Sequence, residues 1–150
     1  MKLVFKSKQP HSQYKLILPI LKKYDNDFFP KIHDINNNGY KYEYINGLTI
    51  QQCVMLGDSI EQTDIIEIKI AMDYIFKTLY EISLKEKDIL NNKIMWYHDP
   101  ILNNIIWDFK KKKLTLIDLD SVCFAKTVPV SYINNLFLQP LEYELHKKDA

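Results

Sequence analysis

Two short apolar runs joined by lysines constrain this chain more than any other feature. NIIWDF (104–109) and KLTLID (113–118) flank the lysine run 110 to 113, and short apolar runs bounded by a polar turn read as paired strands. A hairpin of this kind brings its two outer ends together. Asn104 then stands beside Asp118, and the preceding stretch YHDPILN carries Asp99 toward the same end. The expectation is a β-hairpin with one amide and two carboxylates at its open end.

What surrounds that hairpin is bounded by size and composition. With 150 residues, 47% hydrophobic and 26% charged, the chain has the size and make-up of one folded domain rather than a disordered segment. A formal charge of +1 argues neither for a nucleic-acid partner nor for an acidic tail. The basic residues are all lysine, so no arginine clamp comes from this chain, and phosphate charge must meet lysine, backbone or metal. Cys53 and Cys123 lie far apart without metal-ligand spacing and read as small hydrophobes in a reducing compartment. The start MKLVFKSKQPHSQ has no long apolar region, and no stretch reaches membrane-spanning length without charges. The expectation is a cytoplasmic protein with no membrane association.

Along the chain, KLVFKS (2–7) alternates as a short strand, and a helix is expected over about 12–24, where Leu16, Ile17, Ile20 and Leu21 recur at helical spacing. Pro19 either kinks that helix or marks the start of its regular part. FFPKIHDI and YKYEYI read as strands around the turn INNNGY, whose Asn and Gly tolerate positive φ. INGLTI is a break. The clearest helix spans 63–84, with Ile65, Ile68, Met72, Ile75, Phe76 and Leu79 on its core face and Thr63 or Asp64 as its cap. The tail 131–148 reads as helical, interrupted by Pro140.

The chemistry of the hairpin end is that of a hydroxyl base beside a hard-cation site. Asp99 stands where it can accept a proton. Magnesium takes hard oxygens and keeps several waters, so the carboxylate of Asp118 with the amide oxygen of Asn104 is a sufficient protein share. Asp120 lies two residues along the same expected strand and points to the same face as Asp118. An acid after the apolar run LTLI is costly to bury unless it meets a cation. The same residue types also build ordinary turns, and Asp99 with Pro100 can simply open one.

The stretch YHDPILNNIIWDFKKKKLTLIDLD resembles the catalytic loop and metal-binding strand of the aminoglycoside phosphotransferase and choline kinase-like family. That family has an aspartate, an asparagine five positions on, and then an Ile-Asp-aromatic-acid motif; here these are Asp99, Asn104, Asp118 and Asp120. KYEYINGLTI is similar to the segment crossing from the small lobe to the large one, and FFPKIHDI to the strand after the first small-lobe helix. The resemblance implies an α+β, protein kinase-like two-lobed fold, with 1–46 as a reduced β-rich N-lobe and hinge and 47–150 as a mostly helical C-lobe. It implies transfer of the ATP γ-phosphoryl group to a hydroxyl of a small molecule, with Mg2+. Asp99 becomes the base; Asn104, Asp118 and Asp120 become the metal ligands. Lys6 is the implied phosphate-contacting lysine, with Lys2 and Lys8 close by, while Glu43, Tyr44 and Ile45 border the adenine and Ile117 closes its pocket from below.

The chain departs from that pattern at the nucleotide end. No glycine precedes Gly39, so the loop that covers the phosphates is expected to be missing, and the first helix carries no glutamate to pair with Lys6. The family's histidine two positions before the base is Tyr97 here, with His98 adjacent to Asp99 instead. These departures keep a second reading open, a pseudokinase or nucleotide-binding interaction module. A nuclease or phosphatase using Asp99, Asp118 and Asp120 is disfavoured by the lack of a basic patch. A partner chain that supplies the covering loop is one expectation these departures allow, and a homodimer is another.

Overall fold

In the computed structural model of the protein, the described residues are 2–9, 13–24, 26–57 and 60–126. The tail helix expected over 131–148 lies outside them. β1 (Leu3–Ser7) alternates as expected and pairs antiparallel with β3 (Gly39–Glu43), whose other edge takes β2 (Ile32–Asn36), giving the order β1-β3-β2. The β2–β3 turn is an Asx turn, in which the Asn36 side-chain oxygen accepts from the Asn38 N–H at 2.8 Å. Of FFPKIHDI, only the part from Ile32 is strand. The Asn26 side chain accepts from the Phe29 N–H at 3.1 Å and bends the chain there, which turns Phe28 and Phe29 into the core.

Helix α1 (Tyr14–Lys23) buries Tyr14, Ile17, Leu18, Ile20 and Leu21 and packs against β2. Pro19 stands inside it on the exposed side, where a missing N–H leaves no buried carbonyl unpaired, so the helix continues. The break INGLTI leads into a short helix, α2 (Ile50–Met55), that the hydrophobic pattern does not reveal. Its signal is a capping box: Thr49 Oγ1 accepts from the Gln52 N–H at 3.2 Å and Gln52 Oε1 accepts from the Thr49 N–H at 2.9 Å.

α3 (Gln62–Lys85) buries Ile65, Ile68, Met72, Ile75, Leu79 and Ile82, the expected stripe extended by a turn, with Phe76 packed beside it. The expected cap does not form at Thr63 or Asp64; both lie inside the helix, and Glu61 occupies the cap position without a side-chain bond. Asp64 faces inward instead. It accepts from Trp107 Nε1 at 3.2 Å and from Lys112 Nζ at 2.7 Å, which ties α3 to the hairpin and removes Lys112 from a purely solvated turn. β4 (Ile94–Tyr97) lies on α3, where the Ser83 hydroxyl donates to the Leu79 carbonyl at 2.7 Å and accepts from the Met95 N–H at 2.8 Å. It pairs antiparallel with β7 (Val122–Ala125). Between them in sequence, β5 (Ile105–Asp108) and β6 (Lys113–Leu116) form the expected hairpin, Ile105 opposite Leu116. Cys53 is buried, while Cys123 is only half-buried. Among the described residues no helix is long and apolar enough to cross a membrane.

The buried acids make a pH prediction. Burial works against the charge of Asp64, but the Lys112 and Trp107 hydrogen bonds outweigh it and hold its pKa below the usual carboxylate range. Glu86 is lowered by its hydrogen bonds from Lys23 and Tyr24. A depressed folded pKa stabilises the fold above the unfolded value, about 4, and that contribution is lost as pH falls through the folded value. Melting temperature is therefore expected to hold from about pH 7 to pH 5 and to fall below about pH 4. Asp64→Asn should melt lower at neutral pH and lose less on acidification; an unchanged acid limb in that variant would remove Asp64 from this account.

Candidate active site

The open end of the β5–β6 hairpin gathers the three residues that its sequence singles out. Ile117 continues the ladder past Leu116 by donating its N–H to the Asn104 carbonyl at 3.0 Å, so Asn104 and Asp118 stand at the same end. The loop before β5 is a chain of tight turns. The Ile101 N–H donates to the Asp99 carbonyl at 2.8 Å, and the Asn104 N–H to the Ile101 carbonyl at 2.9 Å. Asn104 Nδ2 then donates back to the Asp99 carbonyl at 3.0 Å and to Asp99 Oδ2 at 3.4 Å. Asp99 is thereby fixed beside Asn104. Because the amide nitrogen is committed to this loop, the amide oxygen is the atom left to face the site.

Asp118 and Asp120 share a tight turn, not the strand that their spacing suggests. Asp118 caps a single 3₁₀ turn (Leu119–Ser121), its Oδ1 accepting from the Asp120 N–H at 3.2 Å and its Oδ2 from the Ser121 hydroxyl at 2.8 Å. Chain direction changes here because LTLI leaves β6 and VCFA must start β7 beside β4. The turn is crowned by lysines from the far end of the sequence. Lys6 on β1 pairs with Asp120 and lies 3.7 Å from Asp118 Oδ1, while Lys8 Nζ is 3.3 Å from Asp120 Oδ2. The buried Tyr40 hydroxyl donates to Asp120 Oδ1 at 3.0 Å.

These contacts set the electrostatics. Burial opposes the charge on Asp120, yet Lys6, Tyr40 and Lys8 outweigh it and its pKa is lowered. Lys6 mirrors this: burial acts to lower it, but Asp120 and then Asp118 raise it overall, so it stays an ammonium ion. The Tyr40 phenol is pushed up by burial first and by the Asp120 charge second, and it remains a donor. The lysine that finds no carboxylate on the first helix is thus partnered by Asp120, whose place in the motif suggests a metal ligand. Asp118 also meets part of its need for positive charge through Lys6.

The expected base-binding segment runs from the sheet to the hairpin. Glu43 ends β3 with Oε1 3.0 Å from His33 Nε2, Tyr44 is exposed with Lys2 Nζ 4.8 Å from its ring centroid, and Ile45 is half-buried. Leu3 pairs with Glu43, which sets Lys6 three residues along β1, about 10 Å from this segment. Past it, Thr49 bridges to Ile106 on β5. Ile117 is half-buried next to Asp118. Tyr97 and His98, just before Asp99, are held by the surrounding fold. Tyr97 is fully buried and packs on Phe29, and its phenol is pushed up by burial and then by Asp118. His98 lies with Nδ1 2.8 Å from the Ser121 carbonyl; a carbonyl only accepts, so that nitrogen carries the proton.

Tyr40 and Ser121 complete the site beyond the residues expected from sequence, and Lys8, expected only as a neighbour of Lys6, joins them through Asp120. Tyr40 owes its place to the β1–β3 register, in which it lies opposite Lys6, and its own segment gives no signal of that pairing. For Lys8 and Ser121 the residues themselves carry none. The residue types suit a magnesium site, a carboxylate at Asp118 and an amide at Asn104 held at the same end of the hairpin. Among the described residues no group of three or more His, Cys, Asp and Glu forms a cage of its own, and magnesium needs none when phosphates and water fill the rest of its shell.

No protein-family model matches the sequence, and no curated protein matches it. Solved structures do. The bifunctional kinase-methyltransferase WbdD superposes over 93% of this chain with a TM-score of 0.54 and 17% identity. The kinase PK-1 of Cydia pomonella granulovirus superposes over 83% with a TM-score of 0.48 and 20% identity. This chain spans 32% of the first structure and 44% of the second. At such identity the WbdD likeness is one of fold: the chain has a protein kinase-like, α+β fold, with a small β-rich part and a helical part that carries the hairpin.

Proposed function

We propose that the chain carries the active site of a phosphotransferase of the aminoglycoside phosphotransferase and choline kinase-like type, moving the γ-phosphoryl group of ATP to a hydroxyl of a small molecule. The observation that carries this reading is the convergence of Asp99, Asn104, Asp118 and Lys6 at one end of the hairpin, drawn from opposite ends of the sequence. Asp99 takes the proton of the acceptor hydroxyl, and Asn104 holds the Asp99 loop in position for it. Lys6 offers its ammonium to nucleotide phosphate, and Asp120 holds that ammonium in place. Asn104 and Asp118 would hold Mg2+, with Asp120 beside them; the ion supplies charge neutralisation on the phosphates when bound. Glu43, Tyr44 and Ile45 border the adenine, and Ile117 lies below it.

One observation favours the alternative, a pseudokinase or nucleotide-binding interaction module: Asp120 already neutralises Lys6 and Lys8 within the protein. Thermal melts with ATP, with magnesium and with both, followed by ATP turnover with a panel of small alcohols and sugars, separate the two. Stabilisation needing both components plus phosphate transfer supports the enzyme, and stabilisation without transfer supports the module. A chain that responds to no nucleotide would reject both.

A further inference from the structure

The outward face of α3 carries a second seam that the fold leaves exposed. Ile66, Ile70, Asp73, Lys77, Tyr80 and Leu84 step along the helix by four and three residues in alternation, the heptad spacing of helices that pair side by side. This seam lies opposite the buried stripe of Ile68, Met72, Ile75 and Leu79. Its four apolar members are 48%, 63%, 45% and 54% exposed at Ile66, Ile70, Tyr80 and Leu84. Lone exposed hydrophobics are ordinary, but two apolar pairs at this spacing along a 24-residue helix, with a charged pair between them, make a patterned row of the kind that marks a helix-pairing interface.

The order of residues in the seam identifies the occupant. When the seam is read against itself in the opposite direction about Ile75, Ile66 meets Leu84, Ile70 meets Tyr80 and Asp73 meets Lys77. Every apolar residue finds an apolar one, and each central charge finds its opposite. In the parallel arrangement Asp73 would face Asp73 and Lys77 would face Lys77, which is repulsive. Tyr74, on the flank and 63% exposed, meets its own copy across the axis. Such self-complementarity under reversal is the requirement of an isologous two-fold interface, and a central charged pair is a known means of fixing register and direction.

We propose that two copies of this chain associate through an antiparallel α3–α3 seam, with Ile66, Ile70, Tyr80 and Leu84 as the apolar layers and the Asp73–Lys77 pairs setting direction. The seam is on the far side of α3 from the core and does not depend on the activity proposed above. Sedimentation velocity across a wide concentration range tests it on the whole chain. The native chain is expected to sediment as a dimer, and Asp73→Lys and Lys77→Asp each as a monomer with unchanged helix content. Mixing the two single variants should restore the dimer, since each then offers the charge that the other lacks, and the double variant should dimerise by itself. A native chain that stays monomeric overturns the proposal, whether residues 127–150 or another protein covers the face. So do single variants that dimerise as well as the native chain.

Discussion

Asp118→Asn is expected to leave the chain folded and to abolish the stabilisation that ATP gives in the presence of magnesium. The substitution is nearly isosteric. Its amide oxygen still accepts from the Asp120 N–H, its amide nitrogen can donate to the Ser121 hydroxyl oxygen, and Lys6 keeps Asp120. What disappears is one full negative charge at the hairpin end. A ligand present at about a hundred times its dissociation constant stabilises by about 2.7 kcal/mol, which is several degrees in melting temperature for a chain of this size. That increment should vanish with the charge if Asp118 is the magnesium carboxylate, and turnover should fall by about a thousandfold, since a metal supplies several kcal/mol of charge stabilisation. Asp120→Asn gives the contrast. It frees Lys6 and Lys8 and should weaken nucleotide binding while leaving magnesium dependence in place. If Asp118→Asn keeps a native magnesium requirement, the metal site is elsewhere.

Those two acids show how local geometry can be read from sequence while contacts between distant segments cannot. The hairpin and its polar end were legible because β5 and β6 are adjacent in sequence and their register follows from a short turn. Asn104 and Asp118 inherit their proximity from that local geometry. The pairing of Lys6 with Asp120 is not local. It depends on β1 crossing over a turn that forms between β6 and β7, and no residue pattern at either end encodes such a meeting. Asp120 therefore reads as lying two residues along the strand of Asp118, whereas the chain turns at Asp118 and brings Asp120 to Lys6 and Lys8.

The same division runs through the fold. The buried stripe of α3 is plain from its helical spacing, but its cap is not, because Asp64 has the residue type of a cap and instead lies in the first turn as a buried acceptor for Trp107 and Lys112. An acid in a first turn suits the helix dipole and an internal contact equally well, and only packing decides between them. β4 and β7 escaped notice for another reason. IMWY and VCFA are too short to show alternation, and they become strands only because each is the other's partner on the surface of α3. α2 escaped because its signal lies in polar residues, the Thr49–Gln52 capping box, while the apolar pattern there is too brief to read.

Gly39→Ala is expected to be the most damaging single-methyl change in the small sheet, and to reach the active site through the backbone. Gly39 begins β3 opposite Ser7, with φ of +152°, a region that side chains other than glycine rarely adopt. A Cβ built there would sit 1.9 Å from the Lys6 carbonyl oxygen and 2.9 Å from its carbonyl carbon. These are backbone atoms of the neighbouring strand, so no rotamer change relieves the contact; β1 must move. Strain at φ and forced overpacking each cost about 1–3 kcal/mol, and together they should lower the melting temperature by about 10 °C. Lys6 is displaced with its own carbonyl, so its ammonium leaves Asp118 and Asp120 and nucleotide binding weakens even where the variant remains folded. Gly57→Ala is the matched control. Its φ of +82° is also positive, but a Cβ there meets nothing within 4 Å, so it carries conformational strain alone, about 1 kcal/mol, and no effect on nucleotide. Melts of both variants with and without ATP and magnesium measure the difference, and equal losses in the two would mean that β1 gives way freely and does not hold Lys6 in register.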